Sequence, residues 1–278
     1  MHAPGLAVRR PTGPFTQNAW SVGAVQAAWS AITHTPVPTD GPACGHLADA
    51  LTAAIRIGHD TDTVAAISGA LLGARWGMGA VPASCRRLLH GWPGLRGLDL
   101  ERLAYLTARG GKPGMYGWPL VDHIDYLGLQ YGQPVIAVHP YDDGVHIAGA
   151  TALDELPEGV DAVVSLCLTG RTQVKEGVEH LNFRIMDKAD LEQNPNLDFA
   201  LLDAARAIAV LRGEGKTVLL HCVAAHSRTP TVAIVYAMLR GVPLEEALPA
   251  VCAVLPSAYP NAGFRKALKR LAEAGVGA

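Results

Sequence analysis

Cys222 and Arg228 lie five residues apart in a short stretch that joins two apolar runs. The first run, residues 218–220, is bounded by charged residues and glycine, which is typical of a buried strand. The second run begins at Thr229 and Pro230, residue types that favour the start of a helix. In a strand–loop–helix unit, the loop N–H groups and the positive end of the helix point at one spot, where an anion binds. The stretch therefore predicts an anion cradle.

Such a cradle would place a nucleophile beneath a phosphate group. The field that attracts an anion also stabilises a thiolate, so Cys222 at the base is a candidate nucleophile. The guanidinium of Arg228 is a planar fork that matches two phosphate oxygens. Taken alone, a cysteine at a strand end is usually a small buried apolar residue, and an arginine at this spacing can be coincidence. The neighbouring His221, Ser227 and Thr229, between a strand and a helix, favour the catalytic interpretation.

The residues HCVAAHSRTPTVA, which begin at His221, resemble the signature of the dual-specificity branch of the protein tyrosine phosphatase superfamily. The resemblance implies that Cys222 attacks phosphorus to give a phospho-cysteine, held by Arg228 and the loop amides. It also implies that Thr229 assists the leaving thiolate and that His221 orients the cradle. The phosphate-binding loop would consist of Val223, Ala224, Ala225, His226 and Ser227. The family usually has glycine where this chain has Ala225, and a Cβ there restricts the loop.

Breaking a phosphoester also requires a proton for the leaving oxygen, which an aspartate on a facing loop can supply. Asp187 follows a predicted strand at residues 181–185, and Asp190 lies three residues further on. From spacing alone, either could be a solvated loop acid. The sequence LNFRIMD resembles the strand and acid of the phosphatase family, which favours Asp187 and leaves Asp190 as the alternative. The family resemblance covers about residues 134–274 and implies catalysis without a metal or an organic cofactor.

A second group of polar residues, Asp60, Asp62 and Thr63, lies in the stretch GHDTDT. An aspartate here commonly caps a helix or complements its dipole. Alternatively, two carboxylates and a hydroxyl form an oxygen cluster suited to Mg²⁺. The string GHDTDTVAAISGALLGA resembles the metal-binding signature of the ADP-ribosylglycohydrolase family, which implies an all-helical fold with a two-magnesium site over about residues 15–115. The family's other ligands come from an upstream motif, and none precedes Asp60, so the resemblance implies a partial magnesium site.

The composition limits the class of protein. The chain has 278 residues, enough for two modest domains. It carries 23 Lys and Arg against 25 Asp and Glu, a formal net charge of −2, which argues against nucleic acid or acidic membranes as partners. Five cysteines without paired spacing favour a reducing, cytoplasmic compartment. No apolar run approaches about 18 residues, so no membrane span is predicted.

The hydrophobic patterns predict two domains of different architecture. Residues 1–17 are rich in proline and glycine and are predicted to be poorly ordered. Residues 18–115 are predicted to be all-α, with no strand pattern before about residue 134, and residues 116–133 to be a linker. In the first helix, helical spacing predicts a core-facing stripe of Val25, Ala28, Trp29 and Ile32.

Residues 134–278 show alternating strand and helix patterns. Strands are predicted at 135–138, 145–148, 162–168, 181–185 and 217–221. Helices are predicted at about 196–212, 230–240, 244–252 and 262–274. This alternation predicts an α/β domain with a mostly parallel sheet flanked by helices. Sites in such sheets lie at the carboxyl ends of strands, which is where Cys222 falls.

Together these features predict a cysteine-dependent phosphatase that hydrolyses phosphomonoesters. The expected substrate is phosphotyrosine, phosphoserine or phosphothreonine in a protein, with a small phosphoester as the alternative. Two other functions stay open: a magnesium-dependent ADP-ribosyl hydrolase that is incomplete in this chain, and a non-catalytic phosphate-binding module if Ala225 spoils the loop. The two resemblances in one chain also suggest a phosphorylated ADP-ribose product as a substrate.

Overall fold

The computed structural model describes residue 15 and residues 17–126, 135–190 and 192–276. Contacts within the chain divide it into two compact units, and the division in the sequence falls between Val81 and Pro82. In the described ranges, no helix is long and apolar enough to cross a membrane. The prediction of poor order for residues 1–17 lies almost wholly outside these ranges.

The described part of the first unit is helical. Its α-helices are α1 (Ser21–His34), α2 (His46–Arg56) and α3 (Thr61–Trp76), and each contacts the other two. The buried residues of α1 are all alanines, at positions 24, 27, 28 and 31. Small side chains let neighbouring helix backbones approach closely, so this unit packs through an alanine stripe.

The predicted core-facing stripe of α1 is wrong for Val25 and Trp29. Val25 and Trp29 are 52% and 58% exposed, whereas Ala28 is buried as predicted. Helical spacing identifies apolar stripes but does not tell a bulky stripe from a small one. Close packing against α2 and α3 selects the alanines, and the larger side chains of Val25 and Trp29 lie outside.

The second unit begins with elements that the sequence assigned to an all-α segment. These are α4 (Ala83–Leu88), β1 (His90–Gly91), β2 (Leu95–Arg96) and α5 (Gly97–Ala108), with β1 and β2 paired antiparallel. The prediction of no strand before about residue 134 is therefore wrong, because two-residue strands are too short to leave an alternating pattern. Ala83 is buried in the main core of the second unit. The division between the units thus precedes the predicted linker, residues 116–133.

A five-stranded sheet forms the centre of the second unit, with strand order β3-β4-β7-β5-β6. Its strands are β3 (Ile136–His139), β4 (Asp142–Ala148), β5 (Val160–Ser165), β6 (Glu179–Asn182) and β7 (Thr217–His221). β3 is antiparallel to β4, and every other pair is parallel. The predicted, mostly parallel sheet is confirmed in this mixed form. β6 ends earlier than the predicted 181–185, although Phe183 and Ile185 remain buried beyond it.

The two faces of the sheet carry cores of different size. The helices α6 (Leu197–Gly213), α7 (Arg228–Leu239), α8 (Leu244–Val254) and α9 (Ala262–Glu273) share the main core with one face, which includes Val164, Leu220 and Cys222. Val163 and Leu219 belong to a smaller core with the short 3₁₀ turn Ala150–Leu153. Because side chains alternate along a strand, neighbouring residues of β5 and β7 face opposite cores.

Candidate active site

The predicted cradle connects β7 to α7. β7 ends at His221 and α7 begins at Arg228, so residues 222–227 form the connecting loop, as the sequence predicted. Cys222 follows the strand directly, is 1% exposed and packs within the main core. The candidate nucleophile therefore lies at the base of a strand–loop–helix unit, where loop amides and the helix start favour an anion.

Neighbouring segments hold this loop through backbone amides at several points. The hydrogen bonds are Leu166 N–H to His221 O (2.8 Å), Ala150 N–H to Val223 O (2.9 Å), Tyr259 N–H to His226 O (2.6 Å) and Asn261 N–H to Ser227 Oγ (3.2 Å). The donors come from the end of β5, the turn after β4 and the segment before α9. The loop is therefore fixed from several sides before any ligand arrives, which is what a preorganised anion site requires.

Ala225 lies in the left-handed region of the backbone map, with φ of 52°. This region favours glycine, and an L-residue with a Cβ pays about 1–2 kcal/mol to occupy it. Ala225 is also 1% exposed. Ala225 occupies the position where the resembled family usually has glycine, and its backbone conformation is one that favours glycine. The loop adopts this conformation despite the Cβ of Ala225.

Backbone carbonyls at the carboxyl ends of two strands hold the Arg228 side chain. Its Nη1 donates to Leu166 O at 3.0 Å and to Ile185 O at 3.2 Å. Its Nε lies 3.7 Å from Asp187 Oδ2, and the side chain is 12% exposed. The guanidinium is therefore fixed beside the loop by groups that sequence patterns do not reveal, because every residue has a carbonyl.

Of the two candidate acids, the structure places Asp187 beside Arg228. Asp187 Oδ1 accepts a hydrogen bond from Asn261 Nδ2 at 3.0 Å, and its side chain is 37% exposed. Asp190 Oδ1 instead accepts from the Glu192 amide at 2.8 Å, within its own turn. Asp187 is thus held at the site yet open to solvent, as a proton donor for a bound substrate must be.

The imidazole of His221 and the hydroxyl of Thr229, the two candidates next to the loop, both form hydrogen bonds within the protein. His221 Nε2 lies 2.6 Å from Ser165 Oγ, and His221 Nδ1 lies 3.3 Å from Cys222 O. Burial lowers the pKa of His221 to about 4, so its ring is neutral at pH 7. Thr229 is fully buried, and its hydroxyl donates to Ala148 O at 3.2 Å. Thr229 would have to rotate its hydroxyl to assist Cys222.

Three residues at the site escaped the sequence analysis as functional candidates. Asn261 joins the loop to Asp187, and its Oδ1 also caps α9 by accepting from the Phe264 amide at 3.0 Å. Ser165 and His180 lead to His221 across the sheet. Asn261 carries a helix-cap signal in the sequence. Ser165 and His180 carry no signal beyond being polar residues in apolar strands.

The candidate magnesium ligands lie at the start of α3. Asp60 precedes the helix, Asp62 is in its first turn and Thr63 is exposed. A hydrogen bond with the Asp60 side chain, together with the backbone amides of Asp62 and Thr63, lowers the pKa of Asp62. The two carboxyl groups are therefore adjacent. In the described residues, no three His, Cys, Asp or Glu side chains are grouped so as to hold a metal. Two carboxylates and one hydroxyl are too few protein ligands to hold two magnesium ions, so these residues do not form a two-magnesium site by themselves.

Comparisons with known proteins find two different similarities, and the first extends past the division between the two units. Residues 5–113 match the ADP-ribosylglycohydrolase family. Dual specificity protein phosphatase 1 of Arabidopsis thaliana is 35% identical over 89 residues, which are 32% of this chain and 43% of that protein. The chain thus spans less than half the length of this relative.

Solved structures of phosphatases are similar over about half of the chain. Human DUSP28 is 25% identical, with a TM-score of 0.45, over 52% of this chain and 97% of its own. The Yvh1 phosphatase domain of Chaetomium thermophilum is 23% identical, with a TM-score of 0.42, over 51% of this chain and 97% of its own. The chain therefore combines a region similar to dual-specificity protein phosphatases with an N-terminal region, residues 5–113, that is similar to ADP-ribosylglycohydrolases.

Proposed function

We propose that this protein is a cysteine-dependent phosphatase that hydrolyses phosphomonoesters. One observation carries the proposal: Cys222 lies at the base of a preorganised loop, and Arg228 is fixed beside that loop, 3.7 Å from the Asp187 carboxylate. Phosphoryl transfer through a covalent intermediate requires a nucleophile, a cationic group that binds the phosphate oxygens, and a proton donor. The similarity to dual-specificity phosphatases supports the same chemistry.

In the first step, the Cys222 thiolate attacks phosphorus and the bond from phosphorus to the leaving oxygen breaks. Asp187 donates its proton to that oxygen, so the product departs as an alcohol. Arg228 and the loop N–H groups bind the equatorial phosphate oxygens, whose charge they stabilise in the transition state. The product of this step is phospho-Cys222.

In the second step, water attacks the phosphorus of phospho-Cys222 and the sulfur–phosphorus bond breaks. The Asp187 carboxylate, now without its proton, accepts one from the water. Thr229 would stabilise the leaving thiolate after its hydroxyl turns away from Ala148. These protein groups and water balance the reaction, so the proposed mechanism requires no metal and no organic cofactor.

For the substrate we propose a phosphorylated side chain of a protein, with a small phosphoester as the alternative. The rim of the loop is open: the Asp187 side chain is 37% exposed and Tyr259, next to the loop residue His226, is 60% exposed. An open rim accepts a phosphate carried on a large molecule. The five cysteines show no paired spacing in the sequence, which supports a reducing, cytoplasmic setting for a thiolate nucleophile.

The experiment that tests the proposal is hydrolysis of a generic aryl phosphate by wild type and Cys222→Ser, each with and without EDTA. The serine hydroxyl is a far weaker nucleophile than a thiolate, so Cys222→Ser should lose turnover while keeping the wild-type circular dichroism spectrum. EDTA should have no effect. A serine variant with wild-type turnover would exclude the mechanism.

Other results would favour the alternatives. Phosphate binding without turnover by the wild type would indicate a non-catalytic phosphate-binding module. Release of ADP-ribose that requires added magnesium would indicate a glycohydrolase, to which Asp60 and Asp62 would contribute. A preference for phosphorylated ADP-ribose over phosphopeptides would contradict the protein substrate and keep the cysteine mechanism.

A further inference from the structure

A row of three polar side chains crosses the sheet behind the loop. Ser165 of β5 pairs in register with His221 of β7, and Val163, two residues earlier, pairs with His180 of β6. Ser165 Oγ lies 2.9 Å from His180 Nε2 and 2.6 Å from His221 Nε2. The row continues from His221 Nδ1 to the carbonyl of Cys222 at 3.3 Å. A continuous chain of hydrogen bonds thus links β6 to the candidate nucleophile's own backbone.

The chemistry of the end groups fixes the direction of this chain. Cys222 O can only accept, so its contact with His221 Nδ1 requires the proton on Nδ1, which also lies 4.0 Å from Cys167 Sγ. A neutral imidazole has one N–H, which leaves His221 Nε2 as an acceptor for the Ser165 hydroxyl. Ser165 Oγ then accepts from His180 Nε2–H. Burial lowers the pKa of His180 to about 3 and that of His221 to about 4, which keeps both rings neutral at pH 7.

We propose that Ser165 and His180 are positioning residues of the active site. They hold the His221 ring in the tautomer and orientation in which its Nδ1–H binds the carbonyl of Cys222. This inference rests on the proposed function and extends it to two residues that lie in β5 and β6, outside the loop. Neither residue lies in the signature sequence around Cys222.

The carbonyl of Cys222 matters because its peptide plane sets the direction of the first loop amide and the start of the loop. The sheet ladder holds His221 O through the Leu166 amide but leaves the next carbonyl to the imidazole. Misplacing reacting groups by about 1 Å can cost roughly 100-fold in rate. The far end of the row, His180, lines a cavity of about 1210 Å³, so the row ends where the packing is open.

The test uses four variants of the full chain. Ser165→Ala removes the central hydroxyl, and His180→Leu removes the donor at the far end. His180→Gln keeps an N–H that can reach Ser165. The matched control is His139→Gln: His139 is a buried histidine that binds Ala233 O at 3.0 Å and has no bond to the row. For each variant, kcat and KM on an aryl phosphate, tungstate affinity by calorimetry and the urea midpoint of unfolding are measured.

A positioning role predicts that Ser165→Ala and His180→Leu lower kcat by roughly 10-fold or more and weaken tungstate binding in parallel. His180→Gln should restore most of both, and His139→Gln should change only the urea midpoint. Wild-type kcat and tungstate affinity in Ser165→Ala would overturn the proposal, as would equal losses in His180→Gln and His180→Leu. If the wild type binds tungstate without turnover, the phosphatase proposal fails, and the tungstate affinities of the variants still decide the positioning role.

Discussion

At the scale of single residues, Ala225 places a Cβ where the loop backbone has φ of 52°. Ala225→Gly removes a penalty of about 1–2 kcal/mol in the folded state, and the greater freedom of glycine in the unfolded chain offsets about 0.4–1 kcal/mol of it. We expect a variant that is more stable by up to about 1.6 kcal/mol. Ala225→Val should be destabilised, because a β-branched residue is an outlier at positive φ. Urea unfolding of the wild type, Ala225→Gly and Ala225→Val tests both expectations. Equal unfolding midpoints for the two variants would show that the backbone at residue 225 is not strained.

The proton donor can be tested by comparing Asp187 with Asp190. Asp187→Asn removes the transferable proton beside Arg228 and should slow turnover by roughly 100-fold or more if proton delivery limits the rate. Asp190→Asn is the matched control, since its carboxylate serves only its own turn in the described contacts. Rates on a substrate with a poor leaving group give the clearest comparison. A loss in Asp190→Asn as large as in Asp187→Asn would move the acid role to Asp190.

Residue spacing along the chain predicted Cys222 and Arg228 as candidates, the phosphatase resemblance favoured Asp187, and the structure places Asp187 3.7 Å from Arg228. It could not predict Ser165 or His180, because their connection to the loop runs across three strands that pair only after folding. A lone serine in an apolar strand looks the same whether its hydroxyl bonds to a histidine or to a backbone carbonyl.

At the scale of secondary structure elements, the start of α9 couples two parts of the site. Asn261 caps the helix through Oδ1 and binds Asp187 through Nδ2, while its backbone amide binds Ser227 Oγ. Asn261→Asp keeps the capping oxygen but places a second carboxylate against Asp187 without a donor. We expect wild-type stability with reduced turnover. Asn261→Ala should lose turnover and also about 1 kcal/mol of stability, because the cap is gone.

The comparison of these two variants in steady-state kinetics and thermal unfolding separates capping from acid positioning. Equal turnover in Asn261→Asp and wild type would show that the contact with Asp187 is dispensable. A stability loss in Asn261→Asp as large as in Asn261→Ala would show that the cap does not survive the change.

Element bounds were predictable where one physical signal dominates. β7 was predicted at residues 217–221 and is found there, because its apolar run is short and sharply bounded. β6 was displaced because Phe183 and Ile185 continue the apolar pattern past the last paired residue, Asn182. Burial and strand pairing are separate requirements, and a hydrophobic pattern reports only burial.

At the scale of the whole molecule, the fully buried His221 and the partly buried His180 link stability to pH. Folded His180 and His221 have pKa values of about 3 and about 4, against about 6.5 in the unfolded chain. Below pH 6.5 the unfolded state therefore binds protons that the folded state does not. Stability should fall as pH drops from about 6.5 towards 4, by up to about 1.4 kcal/mol per pH unit for each histidine.

Replacing His180 by Gln should remove one histidine's share of this slope. The free energy of unfolding from urea titrations at pH 7, 6 and 5 would then fall less steeply in the variant than in wild type. Comparing variant with wild type cancels the other titrating groups, including His139, whose pKa burial also lowers. Parallel curves for the two proteins would show that His180 does not stay neutral in the folded protein over this pH range.

The extent of the second unit gives the last prediction. Contacts place its start at Pro82, whereas sequence patterns place it at residue 134. The intervening segment supplies the Ala83 amide to Asp203 Oδ2 at 2.9 Å, Arg87 to Glu214 at 2.8 Å and Tyr126 Oη to Leu168 O at 2.9 Å.

Burial raises the pKa of Asp203 in spite of its partners Ala83 and Arg86, so removing them would leave a poorly solvated carboxylate. Breaking such a pairing costs roughly 3 kcal/mol or more. We therefore expect fragment 82–278 to unfold cooperatively and to keep the turnover of the full chain, and fragment 134–278 to be less stable by at least that amount. Urea unfolding and aryl phosphate hydrolysis by both fragments test this prediction. Equal stability of the two fragments would show that the segment before residue 134 contributes nothing to the fold. The unit would then begin at residue 134, as the hydrophobic pattern indicates.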